Sequence, residues 1–96
     1  MKAIKVTPDS IAVVDVDPSL NGLQAEVGGN LEAIRVPNGH AYINEDGRQL
    51  GLPNNHNAVR ILPWGGIVGN MIILGNGEDG KEADVPDRIV AAIGLL

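Results

Sequence analysis

Residues 27–55 read V-G-G-N-L-E-A-I-R-V-P-N-G-H-A-Y-I-N-E-D-G-R-Q-L-G-L-P-N-N, a stretch that places three turn signals between short apolar segments. Residues 31–36 mix apolar side chains with Glu32 and Arg35, which is the imperfect alternation of a half-buried strand. The Asn38-Gly39 pair that follows tolerates positive φ and favours a tight hairpin. Residues 41–43 are therefore predicted to form the returning strand.

A second turn is predicted at residues 44–47, N-E-D-G, where Asn or Asp can bond the backbone and Gly47 can take the left-handed conformation. Residues 48–50 are then predicted to begin a third short strand. Pro53 ends it, because proline has no amide hydrogen for a ladder and restricts the residue before it.

Outside this stretch, the same reasoning predicts further elements on both sides. Strands are expected at residues 3–6 and 11–16, a capped helix from Asp17 or Ser19 to Gly28, helical turns within 54–61, a buried interior strand at 67–74 and a last helix at 88–95. These elements predict an α+β fold: a small antiparallel or mixed sheet of about five strands, with two or three short helices, in a single domain over residues 1–96.

The composition predicts an aliphatic core. Apolar residues make up 44% of the 96 residues, but the aromatic residues are only Tyr42 and Trp64. A chain of this size buries roughly 60 to 68% of its unfolded surface, so one small core is expected. Since aromatic rings add little area to it, a homo-oligomer that shares apolar surface is an open alternative.

Charge and cysteine content narrow the classes of function. The formal net charge is -5 with scattered basic residues, which disfavours direct nucleic-acid binding. The acidity favours solubility, and a basic protein partner or mimicry of nucleic acid are the alternatives. No apolar run approaches the ~20 residues that cross a bilayer, so a cytoplasmic protein without a membrane partner is expected. The absence of cysteine excludes thiolate chemistry.

Residues 75–81, G-N-G-E-D-G-K, match the spacing of a phosphate-binding loop, G-x-x-x-x-G-K. Glu82 stands where such a loop has Ser or Thr, and Glu78 and Asp79 would repel phosphate, so a plain connecting loop is favoured. The acidic residues here do not follow the order of a calcium-binding EF-hand loop either. The sequence predicts no metal site and no cofactor.

No catalytic set is predicted. His40, in the hairpin turn, and His56, in an Asn-rich stretch, are expected to be exposed. Ser10 and Ser19 lie in a turn and at a helix start, which is not the setting of a hydrolase nucleophile.

Two candidate binding features stand out. Trp64, between Pro63 and two glycines, is either an exposed anchor for a partner protein or a ring that caps the core, and the second reading is favoured. The other candidate is a small polar pocket formed by Asn44, Asn55, His56 and Arg60.

A set of short motifs, spread over residues 1–74, resembles the domain of unknown function family DUF3846. It comprises Val27-Gly28-Gly29 with its preceding helix, Glu32, the N-E-D-G turn, G-L-P-N-N at residues 51–55, Ala58 and Ile67-Val68-Gly69. The tail after Gly80 matches little. The resemblance implies a small protein of bacteriophages of actinobacteria and firmicutes, or of related mobile elements, with no assigned activity.

Together these features predict a small non-enzymatic phage-type accessory protein that binds a host or phage protein and acts on host physiology or defence. If the protein is phage-encoded, it would act in the host cytoplasm. The alternative is a protein that binds or sequesters a nucleotide-like small ligand, with a possible role in counter-defence.

Overall fold

A computed structural model describes residues 1–95 and confirms the α+β prediction. It contains six strands, two α-helices and two 3-10 turns. In chain order they are β1 (Lys2–Val6), β2 (Ile11–Asp15), α1 (Leu20–Val27), β3 (Leu31–Val36), β4 (Gly39–Asn44), a 3-10 turn (His56–Arg60), β5 (Met71–Asn76), a second 3-10 turn (Glu78–Gly80), β6 (Glu82–Ala83) and α2 (Asp87–Ala92).

The strands form one antiparallel sheet in the order β2-β1-β5-β4-β3, and β6 pairs with the end of β5. Strand β5 is central, as predicted, and its first five residues are buried. It begins later than predicted, because Gly69 has a φ of 73° and turns the chain. Val68 therefore makes only an isolated bridge to Asn54.

The Asn38-Gly39 hairpin is also confirmed. Asn38 has a φ of 68°, and Gly39 pairs with Val36 as β4 begins. Gly39 is required for space, since a Cβ there would lie 2.5 Å from the carbonyl oxygen of Leu74 on β5. This close approach fixes the register in which His40 lies opposite Leu74.

Helix α1 covers one face of the sheet. It begins after Ser19, whose hydroxyl accepts a hydrogen bond from the amide of Gly22, and ends at Gly28 with a φ of 81°. Asp17 supports this start by accepting a bond from the amide of Ser19. The buried side chains on this face are Ala3, Val16, Leu23, Val27, Ile72 and Leu74.

The first 3-10 turn and α2 belong to the larger core on the other face, which includes Ala58, Leu62, Ile89, Val90 and Ile93. The turn replaces the predicted helical turns, and α2 is shorter than predicted because Gly94 has a φ of 82°. No helix within residues 1–95 has both the length and the apolar character to cross a bilayer.

The predicted third strand at residues 48–50 is wrong, because residues 45–51 form consecutive turns. The amide of Leu50 donates to the carbonyl oxygen of Asp46, and that of Gly51 donates to Arg48. These local bonds use the backbone groups that a ladder would need.

Candidate functional site

An open groove lies at the hairpin end of the sheet, on the face that carries α1. Helix α1 has only eight residues and packs against β3, β4 and β5. The groove has a volume of about 810 Å³, and its chemistry-bearing lining residues are Arg35, Asn38, His40, Tyr42, Asn76, Lys81 and Glu82. Its size is that of a small-molecule site.

A chain of hydrogen bonds runs along one wall of the groove. The Tyr42 hydroxyl donates to Oε1 of Glu82 at 2.7 Å, and Nε2 of His40 lies 2.8 Å from Oε2 of Glu82. Nδ1 of His40 lies 2.8 Å from Oδ1 of Asn76. Both ring nitrogens of His40 thus lie within hydrogen-bond distance of a side-chain oxygen.

Burial and Glu82 change the acidity of Tyr42. Burial first, and then the hydrogen bond and charge of Glu82, raise the pKa of Tyr42 to about 12. The phenol therefore stays neutral near physiological pH and acts as a hydrogen-bond donor. A general base needs a pKa closer to the working pH, so this environment favours a positioning role for Tyr42 over proton transfer.

The prediction that His40 is exposed is wrong, since its side chain is only 18% exposed. His40 lies on β4 and not in the turn, and its ring makes an edge-to-face contact with Tyr42 at 5.4 Å. The spacing of His40 and Tyr42 on one strand could have shown that they share a face. Their partner Glu82 has no local signal, because it comes from the short strand β6.

A second surface lies where two loops meet, at residues 45–51 and 63–66. Nη2 of Arg48 donates to the carbonyl oxygen of Gly66 at 2.6 Å and joins them. Trp64 is 75% exposed and Leu50 is 60% exposed, so the favoured reading of Trp64 as a cap of the core is wrong. We call residues 45–51 and 63–66 the loop face.

Comparison with protein-family models gives a match to a domain of unknown function, DUF3846, over residues 1–94. The chain belongs to the DUF3846 family. The resemblance seen in the sequence is thereby confirmed, and the match also takes in the tail after Gly80 that matched little there. Comparisons with curated proteins and with solved structures give no match.

In this DUF3846 chain, the four residues of the predicted polar pocket do not line a common cavity. Asn44 lines a cavity of about 470 Å³ beside the loop face, whereas Arg60 lines a separate one of about 100 Å³. His56 is exposed, and the Arg60 guanidinium donates to the carbonyl oxygen of Ile93.

Asn44 and Asn55 are buried and use their amides within the fold. Nδ2 of Asn44 donates to Val27, and its Oδ1 accepts from the amide of Asp46. Nδ2 of Asn55 donates to the carbonyl oxygens of Val6 and Gly69. Both asparagines therefore hold separate backbone segments together.

The G-x-x-x-x-G-K segment connects β5 to β6, whereas a phosphate-binding loop opens a helix. Of its residues, Asn76, Gly77, Gly80 and Lys81 line the groove, and the acidic pair Glu78 and Asp79 does not. Within residues 1–95, no three His, Asp or Glu side chains gather in a way that would hold a metal ion.

Proposed function

We propose that this DUF3846 protein is a non-enzymatic, phage-type accessory protein that binds a host or phage protein through the loop face. The observation that supports this most is the exposure of Trp64, at 75%. Tryptophan is enriched among the residues that dominate binding energy at protein interfaces. Leu50, which is also exposed, would add apolar area to the loop face.

The charges around the loop face favour a partner with a basic surface. Glu32, Glu45 and Asp46 line the cavity that Arg48 and Gly66 also line. The only cation among those lining residues is Arg48, and its guanidinium already donates to Gly66. A basic rim around an apolar pocket for the indole would complement this surface and speed association.

The core closes without Trp64. The largest fully buried side chains are aliphatic or methionine: Ile4, Leu62, Met71, Ile72, Ile73, Leu74 and Val6. Truncating the indole would therefore open no cavity in the core. The Trp64 side chain is therefore available to contact a partner protein.

The environments of the polar residues favour binding over catalysis. Tyr42 is held neutral, and both oxygens of Glu82 are already bonded by Tyr42 and His40. The proposal requires no cofactor and no membrane contact, and it places the protein in the host cytoplasm if it is phage-encoded.

Paired capture experiments test this function. Wild-type protein, Trp64→Ala and Leu20→Ala would be used as baits in the same host lysate. Leu20 is the control because it is also exposed, at 63%, and lies on α1 rather than within residues 45–51 or 63–66. The proposal expects a partner that wild type and Leu20→Ala retain and that Trp64→Ala loses. Equal retention by all three baits, or no reproducible partner, would count against it.

A homo-oligomer is the competing occupant of the loop face. Sedimentation velocity over a range of concentrations distinguishes it, because self-association through Trp64 would be lost in Trp64→Ala.

The second candidate function is binding of a nucleotide-like small ligand. The observation that favours it is the groove beside Tyr42 and His40, with a volume of about 810 Å³. Its residues differ from the pocket predicted from the sequence.

A further inference from the structure

The groove has a charge opposite to that of the chain as a whole. The protein carries a formal charge of -5, yet the groove is lined by two cations, Arg35 and Lys81, and by a single carboxylate, Glu82. Arg35 is on β3 and Lys81 follows the second 3-10 turn, so two different elements bring the cations to one cavity.

Both carboxylate oxygens of Glu82 have hydrogen-bond partners within the fold. Its Oε1 accepts a bond from Tyr42, and its Oε2 lies 2.8 Å from Nε2 of His40. Both oxygens are thus directed to partners within the protein, and Glu82 is the one carboxylate beside the two cations that line the groove.

The two groove cations differ from all the other Lys and Arg side chains. Of the seven in the sequence, five bond to protein oxygens: Lys2 with Asp87, Lys5 with Glu26, Arg48 with Gly66, Arg60 with Ile93 and Arg88 with Asn38. Within residues 1–95, Arg35 and Lys81 make no such side-chain bond and have no carboxylate within 4.0 Å. The cations left without a partner in the described chain thus line the same cavity.

We propose that this groove binds a small organic oxyanion, a molecule whose phosphate or carboxylate group lies between Arg35 and Lys81. A guanidinium offers a planar fork that matches such groups, and an ammonium adds a compact point charge. Gly80 also lines the groove, and the space beside its Cα is open, with no atom beyond its chain neighbours within 4 Å of where a Cβ would stand. This site gives the second candidate function a named ligand class.

Lys81 is the lysine of the G-x-x-x-x-G-K segment, but the site does not use that loop as a nucleotide cradle. The site uses from this segment the charge of Lys81 and the open space beside Gly80.

Isothermal titration calorimetry of the full chain with pyrophosphate and with citrate tests the site. Removing one charge-assisted contact should weaken binding by at least about tenfold in Arg35→Ala and in Lys81→Ala. Both residues are exposed, so the variants should fold normally, as circular dichroism would verify. Arg35→Lys should recover part of the affinity. Tighter pyrophosphate binding identifies a phosphate ligand, and tighter citrate binding a carboxylate ligand.

Arg60→Gln is the matched control, because it removes a cation that lines another cavity. The affinity of Arg60→Gln for pyrophosphate and for citrate should stay within about twofold of wild type, since salt screens distant surface charges. Trp64→Ala should also bind normally, which separates this site from the loop face. No binding of either probe, or equal losses in Arg60→Gln and the groove variants, would overturn the proposal.

Discussion

The Tyr42 hydroxyl and the Glu82 carboxylate meet at 2.7 Å, although they are 40 residues apart in the chain. Tyr42 lies on β4, and Glu82 lies on β6, which pairs with the other side of β5. Strand β6 has only two residues, so its backbone pairing is short. The side-chain bonds of Glu82 to Tyr42 and His40 therefore help to attach this segment to the sheet and form one wall of the groove.

Tyr42→Phe removes the donor of this bond and keeps the ring. We expect it to lower the free energy of unfolding by about 1–2 kcal/mol, because a hydrogen bond to a charged acceptor is lost. Urea denaturation followed by circular dichroism measures the change. In a double-mutant cycle with Glu82→Gln, the double variant should lose less than the sum of the single losses. Strict additivity would show that the two side chains are not coupled.

Stability should depend on alkaline pH through Tyr42. Its pKa is raised from the usual 10.0 to about 12, so the folded state holds the phenol proton more tightly than the unfolded chain. The resulting stabilisation is complete below pH 10 and is lost as the pH rises through about 12. Ultraviolet titration reports this ionisation directly, since Tyr42 is the only tyrosine. Glu82→Gln should lower the pKa of Tyr42 toward the value that burial alone gives, and an unchanged titration would contradict the contribution assigned to Glu82.

Asn55→Ala should destabilise the fold strongly. Asn55 is 4% exposed, its Nδ2 donates to Val6 and Gly69, and its Oδ1 accepts from the amide of Ala58. The Ala58 amide keeps a bond to the backbone carbonyl of residue 55, but the carbonyl oxygens of Val6 and Gly69 lose a buried donor, which should cost about 3 kcal/mol. His56→Ala, at the exposed neighbouring position, should change stability by less than about 0.5 kcal/mol in the same thermal and urea measurements. Similar effects of the two substitutions would argue against a structural role for Asn55.

The hairpin should tolerate substitution at Asn38 but not at the adjacent Gly39. In Gly39→Ala, the added Cβ would lie 2.5 Å from the Leu74 carbonyl oxygen and 2.9 Å from Cδ1 of Ile89, so we expect a loss of about 2–3 kcal/mol. Asn38→Gly places glycine at a φ of 68° and should stay within about 1 kcal/mol of wild type. Chemical denaturation of both variants checks this. A well-tolerated Gly39→Ala would mean that β4 and β5 can separate at low cost.

The elements predicted correctly are those with local signals. The Asn38-Gly39 turn, the Ser19 cap and the Gly28 stop each act within a few residues, and the structure places all three as expected. The predicted strand at residues 48–50 was wrong, because hydrogen bonds within the local turns compete with strand pairing. The turns of residues 45–51 use backbone groups that the sequence pattern assigned to a strand.

The candidate sites depend on contacts that the sequence does not show. The environment of His40 depends on Glu82, which is 42 residues away, so it requires the register of β4, β5 and β6. The partners of Asn55 likewise come from separate parts of the chain. No sequence pattern around Trp64 indicates that it is exposed. Its exposure depends on whether the aliphatic side chains fill the core by themselves.

Acrylamide quenching of tryptophan fluorescence tests the central claim that the fold leaves its only indole in solvent on the loop face. Trp64 is the sole tryptophan, so the signal reports one side chain. We predict that quenching of the native protein comes close to that of the protein unfolded in denaturant, as expected for a side chain that is 75% exposed. A native state whose indole is strongly protected from acrylamide at low protein concentration would contradict the account.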